Sequence, residues 1–100
     1  MTEDLLSGTI LDDSEELSLV ELARICSCRT ELIVELVDEG VLEPAGKDTG
    51  DWMFTGTCLV KTYTAIRLHQ DLDINIPGVA LTLDLLEEIR ELRARLDLLD

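Results

Sequence analysis

The stretch 65–99, AIRLHQDLDINIPGVALTLDLLEEIRELRARLDLL, decides how the rest of the chain is read. Its centre is a loop at 73–76, followed by Pro77. Proline has its φ preset and no amide hydrogen to leave unbonded, so it suits a first helical turn, and Pro77 marks a helix start. Nothing from there to Leu99 breaks the helical pattern, because Gly78 falls in the opening turn. At ~1.5 Å per residue the helix runs roughly 34 Å, more than a domain of this size needs for its own core. Between Val79 and Leu86 the apolar residues Val79, Ala80, Leu81, Leu83, Leu85 and Leu86 point to several sides, which predicts burial all round. From Leu85 onward they narrow to one stripe, Leu85, Ile89, Leu92, Leu96 and Leu99, spaced four, three, four and three. That is a heptad seam, flanked at i,i+4 by Glu91–Arg95 and Arg93–Asp97, and it predicts a helix that pairs in a homodimer.

One hundred residues make one domain with a modest core, which association would help to stabilise. With one Trp, one Tyr and one Phe, that core must be built of Leu, Ile and Val. No apolar run is long enough to span a membrane, and the acidic N-terminal residues do not suit a signal peptide, so the expected location is the cytoplasm. Three cysteines are an odd number and give no disulfide framework.

Charge is more informative. The formal net charge is −14, from 22 acidic and 8 basic side chains. Residues 1–60 carry −11 of it and residues 61–100 only −3. Affinity for nucleic acid rests on cations meeting phosphates, so this balance argues against DNA and for a basic protein partner.

Along the chain, residues 1–17 are acidic and aperiodic, a segment expected to be partly flexible, with strand character only at 9–11. Residues 18–100 form the single domain. Ser18 stands three residues before Glu21, the capping-box spacing, and opens a helix with Leu19, Leu22, Ala23 and Cys26 on one face. A short polar turn at 26–29 leads to Thr30, a cap for a second helix through 39 with Leu32, Ile33, Leu36 and Val37 inward. Gly40 follows as its stop. Two short helices around a tight turn are a helix-turn-helix. VLEP (41–44), a polar bend at 45–51 and Trp52-Met53-Phe54 then read as a hairpin, the wing. A third helix at 58–72 has apolar residues on two faces, Leu59, Tyr63 and Ile66 on one and Ala65, Leu68 and Leu72 on the other, and is expected to be sandwiched. The fold class is mainly all-α, a winged helix-turn-helix with a small β wing and a long C-terminal helix.

LVELARICSCRTELIVELVDEGVLEP (19–44), the Trp-x-Phe wing and the long terminal helix together resemble the MerR-like winged helix-turn-helix. GVLEP with the wing and RLHQDLDINIPGVALTLDLLEEIREL (67–92) resembles more closely the CbpM-type chaperone-modulator family. The likeness spans roughly 18–97. It implies a protein that binds the J domain of a CbpA-type, DnaJ-like co-chaperone and inhibits it, covering the basic J-domain helix that engages a DnaK-type chaperone. It supplies no residue-by-residue binding motif and no match for residues 1–17.

Candidate site residues therefore come from charge and exposure. In a DNA-reading helix-turn-helix the outward face of the second helix carries donors and cations. Here it carries Glu31, Glu35, Asp38 and Glu39, with only Arg29 basic at its start, which makes it the candidate partner surface. The bland alternative is a solvated face. At the wing, Asp51 and Trp52 join the candidates together with Asp48, although a lone Trp there reads first as a plug beneath the wing. Arg67 and Asp71 are spaced to pair on the surface, and His69 is expected to be exposed. Cys26, Cys28 and Cys58 invite a metal or redox reading, but Cys-x-Cys is tighter than zinc spacing and a fourth ligand would have to be His69 or a carboxylate. Cys26 fits the helix core as a small hydrophobe and Cys58 sits at a helix start, so no metal and no cofactor are expected. One His without a nucleophile partner and no phosphate loop point away from an enzyme. The alternative from another class is a MerR-type DNA-binding regulator, which would need a basic second helix and wing.

Overall fold

The computed structural model describes residues 15–99. The expectations for 9–11 and for the segment before Glu15 lie outside the described residues. The elements are β1 (Glu16–Ser18), α1 (Leu19–Ile25), α2 (Thr30–Asp38), β2 (Met53–Thr55), α3 (Cys58–Asp71) and α4 (Ile76–Leu99), with a short 3-10 turn at Thr49–Asp51.

The capping box forms as the spacing requires: the Glu21 amide donates to Ser18 Oγ at 3.1 Å, and the Ser18 amide to Glu21 Oε1 at 2.9 Å. That second bond, made to the charged form, holds the Glu21 carboxyl below its ordinary value. α1 ends in a double closure, Ser27 amide to Arg24 carbonyl at 3.2 Å and Cys28 amide to Ala23 carbonyl at 3.0 Å, with Ser27 left-handed at φ 55°. α2 ends the same way on Gly40, at φ 79°. Its start differs from expectation. The N-cap is Arg29, without a side-chain cap, and Thr30 is already helical, its hydroxyl turned to Glu31 at 3.3 Å.

The wing is also built differently. Its strand β2 pairs antiparallel with β1, in the register Glu16↔Thr55, Leu17↔Phe54 and Ser18↔Met53, while the VLEP side contributes a single bridge, Ala45↔Met53. Glu16 and Leu17 therefore belong to the fold, and Leu17 is buried opposite Phe54. The reason is local: Val41 and Leu42 turn their side chains into the core, and Gly46 bends the chain away at φ 108°, where a Cβ would stand 2.7 Å from the Asp51 carbonyl oxygen.

The core gathers Leu17, Leu22, Ile33, Leu36, Leu42, Phe54, Leu59, Ile66, Ile76 and Val79. α3 packs against β2 and α4, and α4 also reaches α2. α3 stops one residue short of the expected end, and Leu72 is exposed rather than packed. α4 begins at Ile76, with Pro77 in its first turn and Asn75 Oδ1 accepting from the Gly78 amide at 2.8 Å.

α4 departs most from the sequence reading. Only Ile76 and Val79 are buried, with Ala80 and Leu83 half-buried, whereas Leu81, Leu85 and Leu86 are exposed. Burial all round would need cover that this one chain does not supply. Among the described residues the ion pairs are Arg67–Asp71 and Glu87–Arg90, each at 3.2 Å; Glu91–Arg95 and Arg93–Asp97 do not close. No helix of the described residues is long and apolar enough to cross a membrane.

Candidate partner-binding site

α2 buries Ile33 and Leu36 and half-buries Leu32 and Val37. At about 100° per residue, that choice turns Glu31, Glu35, Asp38 and Glu39 to the other side within an arc of about 100°. All four are exposed. Among the described residues none of them is in an ion pair. The face on which a DNA reader would carry donors is thus a strip of free carboxylates, with exposed Arg29 at its N-terminal end.

The wing candidates belong to another element. Asp51 is exposed in the 3-10 turn, its amide bonded to the Asp48 carbonyl at 2.8 Å. Trp52 is half-buried against the core, edge-on to Phe54 with ring centroids 6.2 Å apart and planes at 85°. It plugs the wing onto the domain.

His69 is not the free surface residue its sequence position suggests. Half-buried, it donates from Nδ1 to the Ile74 carbonyl at 2.8 Å, tying the end of α3 to the loop before α4. This contact depends on the path of the 72–75 loop, where Asp73 is left-handed at φ 57°, and no sequence signal announces it. A cleft of about 450 Å3 opens between α2 and this end of α3, lined by Arg29, Glu35, His69 and Gln70 among others. Arg67 pairs with Asp71 as its spacing implies, and its guanidinium also lies over the Tyr63 ring, 5.8 Å from the centroid.

The thiols are free. Burial pushes the Cys26 thiol up to about 12 and also raises Cys28, which keeps both protonated and poorly nucleophilic near neutrality. No cluster of three or more metal-ligating side chains assembles among the described residues.

The exposed apolar residues of α4 are Leu81, Leu85, Leu86, Ile89, Leu92, Leu96, Leu98 and Leu99. The five seam residues sit on roughly the opposite side of the helix from Ile76, Val79, Ala80 and Leu83, about 170° round at 100° per residue. The seam is therefore a second face, not a continuation of the one that packs on the domain.

Comparison with known proteins places this architecture. The family described as MerR HTH family regulatory protein matches residues 17–100. The chaperone modulatory protein CbpM of Coxiella burnetii is 37% identical over 100 residues, all of this chain and 94% of that protein. The chain belongs to the CbpM family. CbpM of Pseudomonas putida is 34% identical over 84 residues, 84% of this chain and 83% of its own length. CbpM of Pseudomonas entomophila is 34% identical over 79 residues, 79% of this chain and 78% of its own. The names given to these CbpM relatives describe a modulatory protein rather than an enzyme.

Proposed function

We propose that this chain modulates a chaperone system by binding the J domain of a CbpA-type, DnaJ-like co-chaperone in the cytoplasm and inhibiting it. The observation that carries the reading is the strip of free carboxylates, Glu31, Glu35, Asp38 and Glu39, on the outward face of the second helix of a helix-turn-helix. It complements a basic helix and repels a phosphate backbone, so the fold serves protein rather than DNA. Asp51 at the wing extends the acidic surface, and Trp52 holds the wing in position. Seated on the basic J-domain helix, the strip competes sterically with the DnaK-type partner. The seam Leu85, Ile89, Leu92, Leu96 and Leu99 pairs two copies of the chain into a homodimer.

Reversing Glu31, Glu35 and Asp38 together to Lys tests the reading. All three are exposed, so the variant keeps its fold and melting temperature while its affinity for an isolated CbpA-type J domain falls at least about a hundredfold. Unchanged affinity would remove this helix from the interface.

A further inference from the structure

A strip of acids facing a basic helix leaves the orientation of docking open, because a run of like charges attracts its complement in either direction. The cleft beside the strip breaks that symmetry. Its α2 side carries Arg29 and Glu35, and its other wall is His69 and Gln70 from α3. The His69 ring is anchored by its 2.8 Å bond to the Ile74 carbonyl, so this wall is fixed in place. Arg29 and Glu35 line one space, yet among the described residues neither enters an ion pair. In a chain of net charge −14, Arg29 is an exposed guanidinium at the edge of an acidic strip, facing a cleft and, among the described residues, without a carboxylate.

On the co-chaperone reading given above, we propose that Arg29 receives a carboxylate side chain from the same partner whose cations meet the strip, and so fixes the polarity of docking. The guanidinium fork matches a carboxylate in geometry as well as charge. Along α2 the order is one cation, then acids from Glu31 to Glu39. At ~1.5 Å per residue, Asp38 lies about 13 Å beyond Arg29. The matching partner surface carries an acid followed by bases over that distance. Docked the other way round, a base would face Arg29 and the partner's acid would face Asp38, two like-charge contacts that reject this orientation.

Arg29→Glu separates this local pairing from bulk attraction. The substitution makes the chain two charges more negative, so attraction to a basic partner alone would tighten the complex and speed association. If Arg29 holds a carboxylate, Arg29→Glu instead weakens binding to the isolated J domain about tenfold. Arg29→Ala weakens it as well, and Arg29→Lys, which keeps the charge but loses the fork, falls between Ala and wild type. Titration calorimetry on the full chain reads all three, with circular dichroism melting to establish that each variant is folded. Equal or tighter binding by Arg29→Glu overturns the proposal. Where the Glu31, Glu35 and Asp38 reversal abolishes binding but Arg29→Glu does not weaken it, this inference fails and the partner reading stands. No binding by the wild-type chain removes both.

Discussion

Ser27 holds the left-handed position that closes α1, at φ 55°, where an L side chain is strained and glycine is not. Gly40 fills the equivalent position after α2 without that strain. Ser27→Gly therefore stabilises the domain by about 0.5–1 kcal/mol, read as a higher urea midpoint at unchanged slope. Glu21 provides a test by pH. Its carboxyl is held below its ordinary value by the Ser18 amide, so the charged form binds more strongly in the folded chain than in the unfolded one. Stability from a lowered carboxyl is fully present above the unfolded value of 4.5 and is lost as pH falls through the lower folded value. Glu21→Gln keeps an acceptor for the amide but has nothing to titrate. Wild type is expected to be the more stable of the two near neutrality, and the difference closes on acidification below about pH 4. A difference constant with pH would show that the carboxylate charge plays no part in the cap.

The elements legible in the sequence are those fixed by short-range chemistry. Ser18 with Glu21, Gly40 and Pro77 each act within one helical turn, and the helices stand where they put them. β1 escaped because the polar–apolar–polar Glu-Leu-Ser is too short to stand out as an alternation, and the pairing that makes it a strand lies between Leu17 and Phe54, remote in sequence. The acidic strip on α2 followed from helical periodicity, whereas its cleft did not, since the His69 wall is set by the loop after α3. In α4 the apolar pattern over 79–86 predicts burial all round, whereas the structure buries only Val79 there and leaves Leu81, Leu85 and Leu86 exposed. The structure leaves Leu92, Leu96 and Leu99 52%, 62% and 83% exposed, on the side away from the domain. In the proposed homodimer, pairing with a second copy would cover them. Leu92→Glu with Leu96→Glu is expected to convert a dimer to a monomer in analytical ultracentrifugation, without unfolding the domain, because neither side chain packs on it. A wild-type chain that stays monomeric up to ~100 μM would contradict the pairing, since heptad dimers of any consequence bind well below that concentration.

Across the whole molecule, charge and fold tell one story. Of the net −14, the segment before Ser18 carries −6, the helix-turn-helix and wing −5, and the last forty residues, with α4, only −3. The outward face of α2 carries Glu31, Glu35, Asp38 and Glu39, a charge that repels a phosphate backbone, and the CbpM relatives are named chaperone modulatory proteins. Attraction of this kind acts over a Debye length, about 10 Å at 0.1 M salt, and weakens as salt rises. The decisive measurement is titration calorimetry of the full chain against an isolated CbpA-type J domain at low and at moderate salt. A defined complex is expected at low salt, with an affinity that falls as salt is raised, mainly through slower association. No heat and no complex at low salt would contradict it.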